Sequence, residues 1–292
     1  MSLDTVETPA SPGAGGSVHA QQVRVYEATG GWRALDFGEM WRFRDLFRSL
    51  VMRDVKLRYR QTLLGVGWVV LLPLLSAGVL TFVFGSVAKL PSNGVPYFLV
   101  TLAGMVAWTF FSGVLARGSS SLVNNAALVG KVFFPRALLP LSAIGSTTVD
   151  MLVSLVLATV LAATQGIYPT AAFLLAPVWL GLGILVVLGP TLIFAAATVS
   201  YRDVNYILPI FVQMLLYVSP VAYSLEAVPA KFRDVYALNP LVAPLQGLRH
   251  ALLGYGDIPA SSVLSSVVFA SLFLFAGATY FSHQEQRFAD VI

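Results

Sequence analysis

Six apolar runs, each about as long as the ~20 residues a helix needs to cross a bilayer, occupy most of this sequence and limit what it can fold into. They fall near residues 62–88, 97–117, 138–163, 172–199, 205–224 and 260–281. A soluble domain carries about 25% charged residues. Here 11% are charged and 57% hydrophobic, and the mean hydropathy is +0.78. The expectation is an all-α polytopic membrane protein with six transmembrane helices and little chain left for a globular domain. No internal repeat is visible, so the inverted-repeat plan of many secondary transporters has no support.

The remaining chain excludes several function classes. The start (MSLDTVETPASPGAGGSVHA) is rich in Ser, Gly, Ala and Pro and lacks the apolar core of a secretory signal. Residues 1–35 are expected to form a disordered cytoplasmic tail. There is no cysteine, which removes disulfides, thiolate metal sites and cysteine nucleophiles. The three histidines, His19, His250 and His283, are scattered. No catalytic, cofactor or metal site is therefore expected. A pI near 9.4 is explained by topology rather than by a nucleic-acid partner. In the six-span arrangement fourteen Lys and Arg fall on the side of the termini and four, Lys89, Lys231, Arg233 and Arg249, on the other. Basic residues near span ends stay inside, so both termini are expected in the cytoplasm. The long segment 225–259 is then external, with two short helical pieces that rest at the outer surface or dip back into the protein.

Ahead of the first span, MWRFRDLFRSLVMRDVKLRYR (40–60) places Met40, Phe43, Leu46, Phe47, Leu50, Val51, Val55 and Leu57 on one half of a helical wheel and most of its charges on the other. Residues 36–61 are expected to be an amphipathic interface helix in contact with membrane lipids. Its charged stretch holds Arg53, Asp54, Lys56, Arg58 and Tyr59. These residues serve as snorkelling anchors or as a rim gripped by a cytoplasmic partner.

RDVKLRYRQTLLGVGWVVLLPL (53–74) resembles the segment that opens the membrane domain of type-2 ABC exporter permeases, and of the polysaccharide exporters among them. KVFFPRALLPL (131–141), SYRDVNYILPIFVQMLLYVSPVAYS (200–224) and LNPLVAPLQGLRHALLG (238–254) fit the same family, in order, from about residue 40 onward. The resemblance implies a six-span ABC-2 permease domain over 62–292 in the bacterial cytoplasmic membrane. It also implies a homodimer clasped by two copies of an ABC ATPase, exporting a lipid-linked polysaccharide of the O-antigen, galactan or teichoic-acid kind. A permease for a small lipid or drug is the alternative, and a polytopic envelope-glycan enzyme is a more distant one.

The chain has no nucleotide site of its own. NNAALVGKVFF is the nearest thing to a phosphate loop, with Asn125 in place of the first glycine and Val132 where a hydroxyl would hold magnesium. ATP-driven force must then enter through cytoplasmic loops. Asn124 and Asn125 are expected to cap a short helix. Lys131, Phe133, Phe134, Pro135 and Arg136 have the make-up of a docking element, since an exposed Phe-Phe calls for a cover of protein or lipid. Arg202 and Asp203 form a second candidate coupling turn, unless they merely neutralise each other.

Within the spans, Asp150 is ionisable at a depth where charge is costly, and is expected to hydrogen-bond to Ser or Thr of a neighbouring helix. Gln213 is expected to act as similar interhelical glue. Trp68, Phe82, Trp108, Tyr217 and Tyr223 are candidates for an aromatic lining along which sugar rings would slide.

Overall fold

The computed structural model describes residues 37–60, 65, 67–92, 94–285 and 288. The expected tail, 1–35, lies outside them. The described residues form helices and connecting loops without a strand.

Two helices precede the bundle, α1 (Phe37–Arg42) and α2 (Arg44–Tyr59), with a break at Phe43 in place of one continuous interface helix. Among the described residues, five helices are long and apolar enough to cross a membrane. They are α3 (Gly67–Leu80, continued by wider π-helical turns to Val87), α4 (Tyr97–Asn124), α6 (Leu138–Thr164), α7 (Ala176–Ser200, entered through a 3-10 turn at Ala171–Leu175) and α11 (Ala260–Glu285). The four-residue α5 (Ala126–Val129) follows α4, and α8 (Val204–Val218) follows α7. Two short helices, α9 (Ala230–Ala237) and α10 (Val242–Leu253), precede α11.

The fifth apolar run is the main departure from expectation. Its helix stops at Val218, fifteen residues long, or about 22 Å at 1.5 Å per residue, short of the ~30 Å hydrocarbon core. Ser219 is extended (φ −96°, ψ 148°) because it precedes Pro220, whose ring disfavours a helical residue before it. Residues 219–224 then turn into the protein, and most of them are buried.

α4 is the central helix. Of its most apolar stretch 78% is buried, against 11% for α3, which stands at the edge. Around α4 pack α6, α7, α10 and α3. α7 and α11 lie backbone to backbone at Gly189 and Gly277, where a side-chain carbon on either would collide with the main chain of the other helix. Small residues give membrane helices this close approach. α10 is buried along almost its whole length against α4 and α7, so of the two placements expected for this piece it takes the one that dips back into the protein. It ends at Gly254 in the left-handed conformation (φ 63°) that glycine adopts without strain.

A second apolar cluster gathers Leu50 of α2, Leu122, Val129, Phe134, Leu138, Leu192, Phe281 and Phe288. It brings α2, α5, the start of α6 and the ends of α4, α7 and α11 to one end of the bundle. Met40, Phe43, Leu46 and Phe47 pack on this cluster, and a side-chain carbon on Gly145 of α6 would strike Val51. Much of the apolar half of the 40–60 segment thus faces protein rather than lipid.

Candidate functional site

Where α2 meets α4 and α6, three polar side chains converge on one carboxylate. Asp150, midway along α6, pairs through Oδ2 with Arg58 of α2 and with Arg117 of α4 (3.0 Å). Its Oδ1 accepts a hydrogen bond from the Tyr59 hydroxyl. Arg117 also lies 3.5 Å from Thr147 Oγ1, one turn before Asp150. Among the described residues, Asp150 is thus held by two arginines and a tyrosine rather than by the Ser or Thr that its depth suggested. The arginines come from α2 and from α4, which continues past the end of the 97–117 run to Asn124 and so holds Arg117, the last residue of that run, within a helix beside α6. Burial lowers the pKa of the Arg58 guanidinium, with the Tyr59 and Asp54 oxygens acting the other way.

This cluster closes one end of a cavity of about 330 Å³ between α2, α3, α4 and α6, whose other wall is Trp68, Leu72, Pro73, Phe110 and Met151. Beside it Arg53 and Asp54 form a neighbouring ion pair (2.9 Å), and Ser142 Oγ donates to Asp54 Oδ2 (3.4 Å). Lys56 is exposed.

Arg249, in α10, is the functional-looking residue that sequence reasoning did not single out. Counted among the external basic residues, it is fully buried and donates to the carbonyls of Val100 (3.2 Å), Pro220 (2.8 Å), Val221 (2.7 Å) and Tyr223 (3.2 Å) and to Gln246 Oε1 (2.6 Å). It satisfies the carbonyls that the broken fifth run leaves without helical partners. Burial pushes the guanidinium down to about 10, opposed by Tyr255 and Tyr97, so it remains a cation at neutral pH. A side-chain carbon on Gly104 would strike both Val221 O and Arg249, so glycine is required there.

Comparison with known proteins places these elements in context. Residues 45–253, spanning α2 to α10, match the family described as ABC-2 type transporter. The chain belongs to the ABC-2 type transporter family. Over 256 residues it is 28% identical to the O-antigen export system permease protein RfbA of Myxococcus xanthus, covering 87% of this chain and 98% of that one. It is 25% identical over 250 residues to an RfbA of Klebsiella pneumoniae (85% and 95%). To the polysialic acid transport protein KpsM of Escherichia coli it is 24% identical over 245 residues (82% and 93%). This ABC-2 protein is accordingly a multi-pass membrane permease rather than an enzyme.

The loops of the permease depart from expectation in several places. Phe133 is 67% exposed but Phe134 is 4% exposed, seated among Leu122, Leu138 and Phe281, so the Phe-Phe pair divides into one surface and one core residue. Arg136 turns to the C-terminal helix: its backbone N–H donates to Glu285 Oε1 (3.0 Å), its guanidinium donates to Glu285 O and sits over the Phe288 ring. Lys131 is exposed and Pro135 half-buried. Neither asparagine caps α5. Asn125 Nδ2 donates back to Ser121 O (2.8 Å) and Asn124 Nδ2 to Ser120 Oγ (3.2 Å). Arg202 and Asp203 are both exposed between α7 and α8, without an ion pair between them.

The candidate aromatics do not share one channel. Trp68 and Phe82 lie on the outward face of α3, whereas Trp108 is buried in the core. Trp108 lines a second cavity of about 300 Å³ with Phe111, Phe194, Phe211, Phe269 and Phe273, almost wholly apolar. Tyr217 is exposed, and its carbonyl accepts from the Tyr223 hydroxyl (2.9 Å), which also lies 3.1 Å from that of Tyr236. Gln213 does not bridge helices; its amide donates to Tyr217 OH one turn along α8 (3.1 Å).

Proposed function

We propose that this permease is the transmembrane subunit of an ATP-driven exporter that carries a lipid-linked polysaccharide across the bacterial cytoplasmic membrane. The observation that carries the reading is similarity over nearly the whole length of relatives named for O-antigen export and polysialic acid transport. The working unit is a homodimer with two ATPase subunits. α8 supports it, because a fifteen-residue, largely apolar helix with only Leu208 buried needs cover from lipid or a second copy. In the membrane, α8 and the buried 219–224 turn together act as the sixth crossing, α2 lies along the inner surface, and both termini are cytoplasmic. Residues 1–35 form the tail, 36–61 the interface segment and 62–292 the membrane domain.

ATPase coupling is assigned to the exposed residues Lys131, Phe133, Arg202 and Asp203. Phe134, Pro135 and Arg136 shape the first of these loops from within. Deleting the gene and complementing it with the wild-type chain tests the function. Surface polysaccharide should vanish, its lipid-linked precursor should accumulate inside, and both should recover on complementation. Unchanged surface polymer in the deletion strain would overturn the reading.

A further inference from the structure

The cavity bounded by Arg58, Arg117 and Asp150 has two characters, and together they describe an amphiphile. Two guanidinium groups face one carboxylate, and the nearby Asp54 already has Arg53 as its partner, so the cleft keeps a surplus positive charge. Each guanidinium carries five N–H donors. Arg117 contacts protein acceptors through Nη1 alone, at Asp150 and Thr147, and the polar contact of Arg58 is Nη1 to Asp150. Among the described residues, the Nε and Nη2 groups of both arginines have no protein acceptor. Asp150 holds the two planar forks together at one point, an arrangement suited to a tetrahedral oxyanion.

The opposite wall is apolar, and Trp68 and Leu72 of that wall begin a stripe along α3. Trp68, Leu72, Leu75, Val79 and Phe82 recur at helical spacing and are all exposed. At about 330 Å³ the cavity is at the small end of ligand sites, roughly 300–1,000 Å³. It suits a headgroup and the first carbons of a chain, the remainder lying along the stripe. A neutral glycan has no charge to match the surplus, and the second cavity has almost no polar group to hold a headgroup.

We propose that this cleft binds the phosphate headgroup of a membrane amphiphile, with Arg58 and Arg117 holding phosphoryl oxygens and the Trp68–Leu72 wall receiving the hydrocarbon chain. The headgroup is that of an isoprenoid carrier or of a bulk anionic phospholipid. That the amphiphile is the transported one rests on the function proposed above; the site itself does not.

The test uses the full permease–ATPase complex in neutral phosphatidylcholine nanodiscs, with farnesyl diphosphate as probe and farnesol as its uncharged counterpart. Farnesyl diphosphate should bind saturably and farnesol at least tenfold more weakly. Arg117→Gln, and Leu72→Trp, which fills the apolar wall while leaving the ionic cluster in place, should each weaken the diphosphate at least tenfold. Displacement of the probe by phosphatidylglycerol, with the same dependence on both variants, supports the site and names bulk lipid as its occupant. Resistance to phosphatidylglycerol names the isoprenoid diphosphate. Absent binding, equal binding of farnesol, or binding unchanged in both variants overturns the proposal and leaves the cluster as a tie between helices. The outcome is separable from the export assay: export without headgroup binding removes the site alone, and headgroup binding without export removes only the proposed function.

Discussion

Asp150 on α6 and Arg117 on α4 meet at 3.0 Å, and the same carboxylate oxygen takes Arg58 from α2. A helix ahead of the bundle is thereby fastened to two membrane-crossing helices through one acid. Removing a partner from a buried pair costs about 3–5 kcal/mol. Arg117 is 42% exposed, so the effect here is smaller. Asp150→Ala should lower the stability of the purified protein by about 1–3 kcal/mol. Arg117→Gln added to Asp150→Ala should cost less than the sum of the two single changes. Additive thermal shifts across this double-mutant cycle would deny the coupling.

Arg249→Ala removes donors from the carbonyls of residues 100, 220, 221 and 223 at once. Each buried group left unsatisfied costs about 1–3 kcal/mol, so the variant should fail to accumulate as a monodisperse protein. Gly104→Ala should fail in the same way. Wild-type size-exclusion profiles for both would show that the 219–224 turn is held by something else.

Phe133 and Phe134, adjacent in sequence, should separate in experiment. Phe134→Ala opens a cavity in the α2-end cluster and should destabilise by about 3–5 kcal/mol. Phe133→Ala should leave the melting temperature within a degree or two while reducing co-purification of the ATPase. Equal thermal shifts for the two would contradict their assigned environments.

The Arg202–Asp203 turn offers a cleaner test, because the two charges are not paired with each other. Exchanging them, Arg202→Asp with Asp203→Arg, keeps the local net charge and should keep fold and insertion. Charge complementarity with the ATPase would be reversed, at a cost of a few kcal/mol if both charges are desolvated there. ATPase co-purification and surface polymer should both fall. Normal values of both would confine the turn to local structure.

For topology, single cysteines replacing Lys89, Lys231 and Arg202 in this cysteine-free chain should label with an impermeant thiol reagent from outside, outside and inside respectively. All three residues are exposed. Labelling of Lys89→Cys from the cytoplasm alone would invert the arrangement.

The sequence by itself determined the helices that cross, because a run of twenty apolar residues in lipid must close its own backbone hydrogen bonds. It also held a signal for the end of α8 in Ser219-Pro220, masked by the apolar residues that continue past it. Which residues face inward was decided only by tertiary structure. In a soluble helix the polar face marks the outside, but here the lipid-facing and core-facing sides are equally apolar, so the helical period carries almost no information about burial. Phe134 and Phe133 therefore looked alike, as did Trp108 and Trp68. The role of Arg249 was not legible because the carbonyls that surround it come from segments 26 to 149 positions away. Asp150 announced that a partner was needed, but only the packing of α2 and α4 against α6 supplied Arg58, Tyr59 and Arg117.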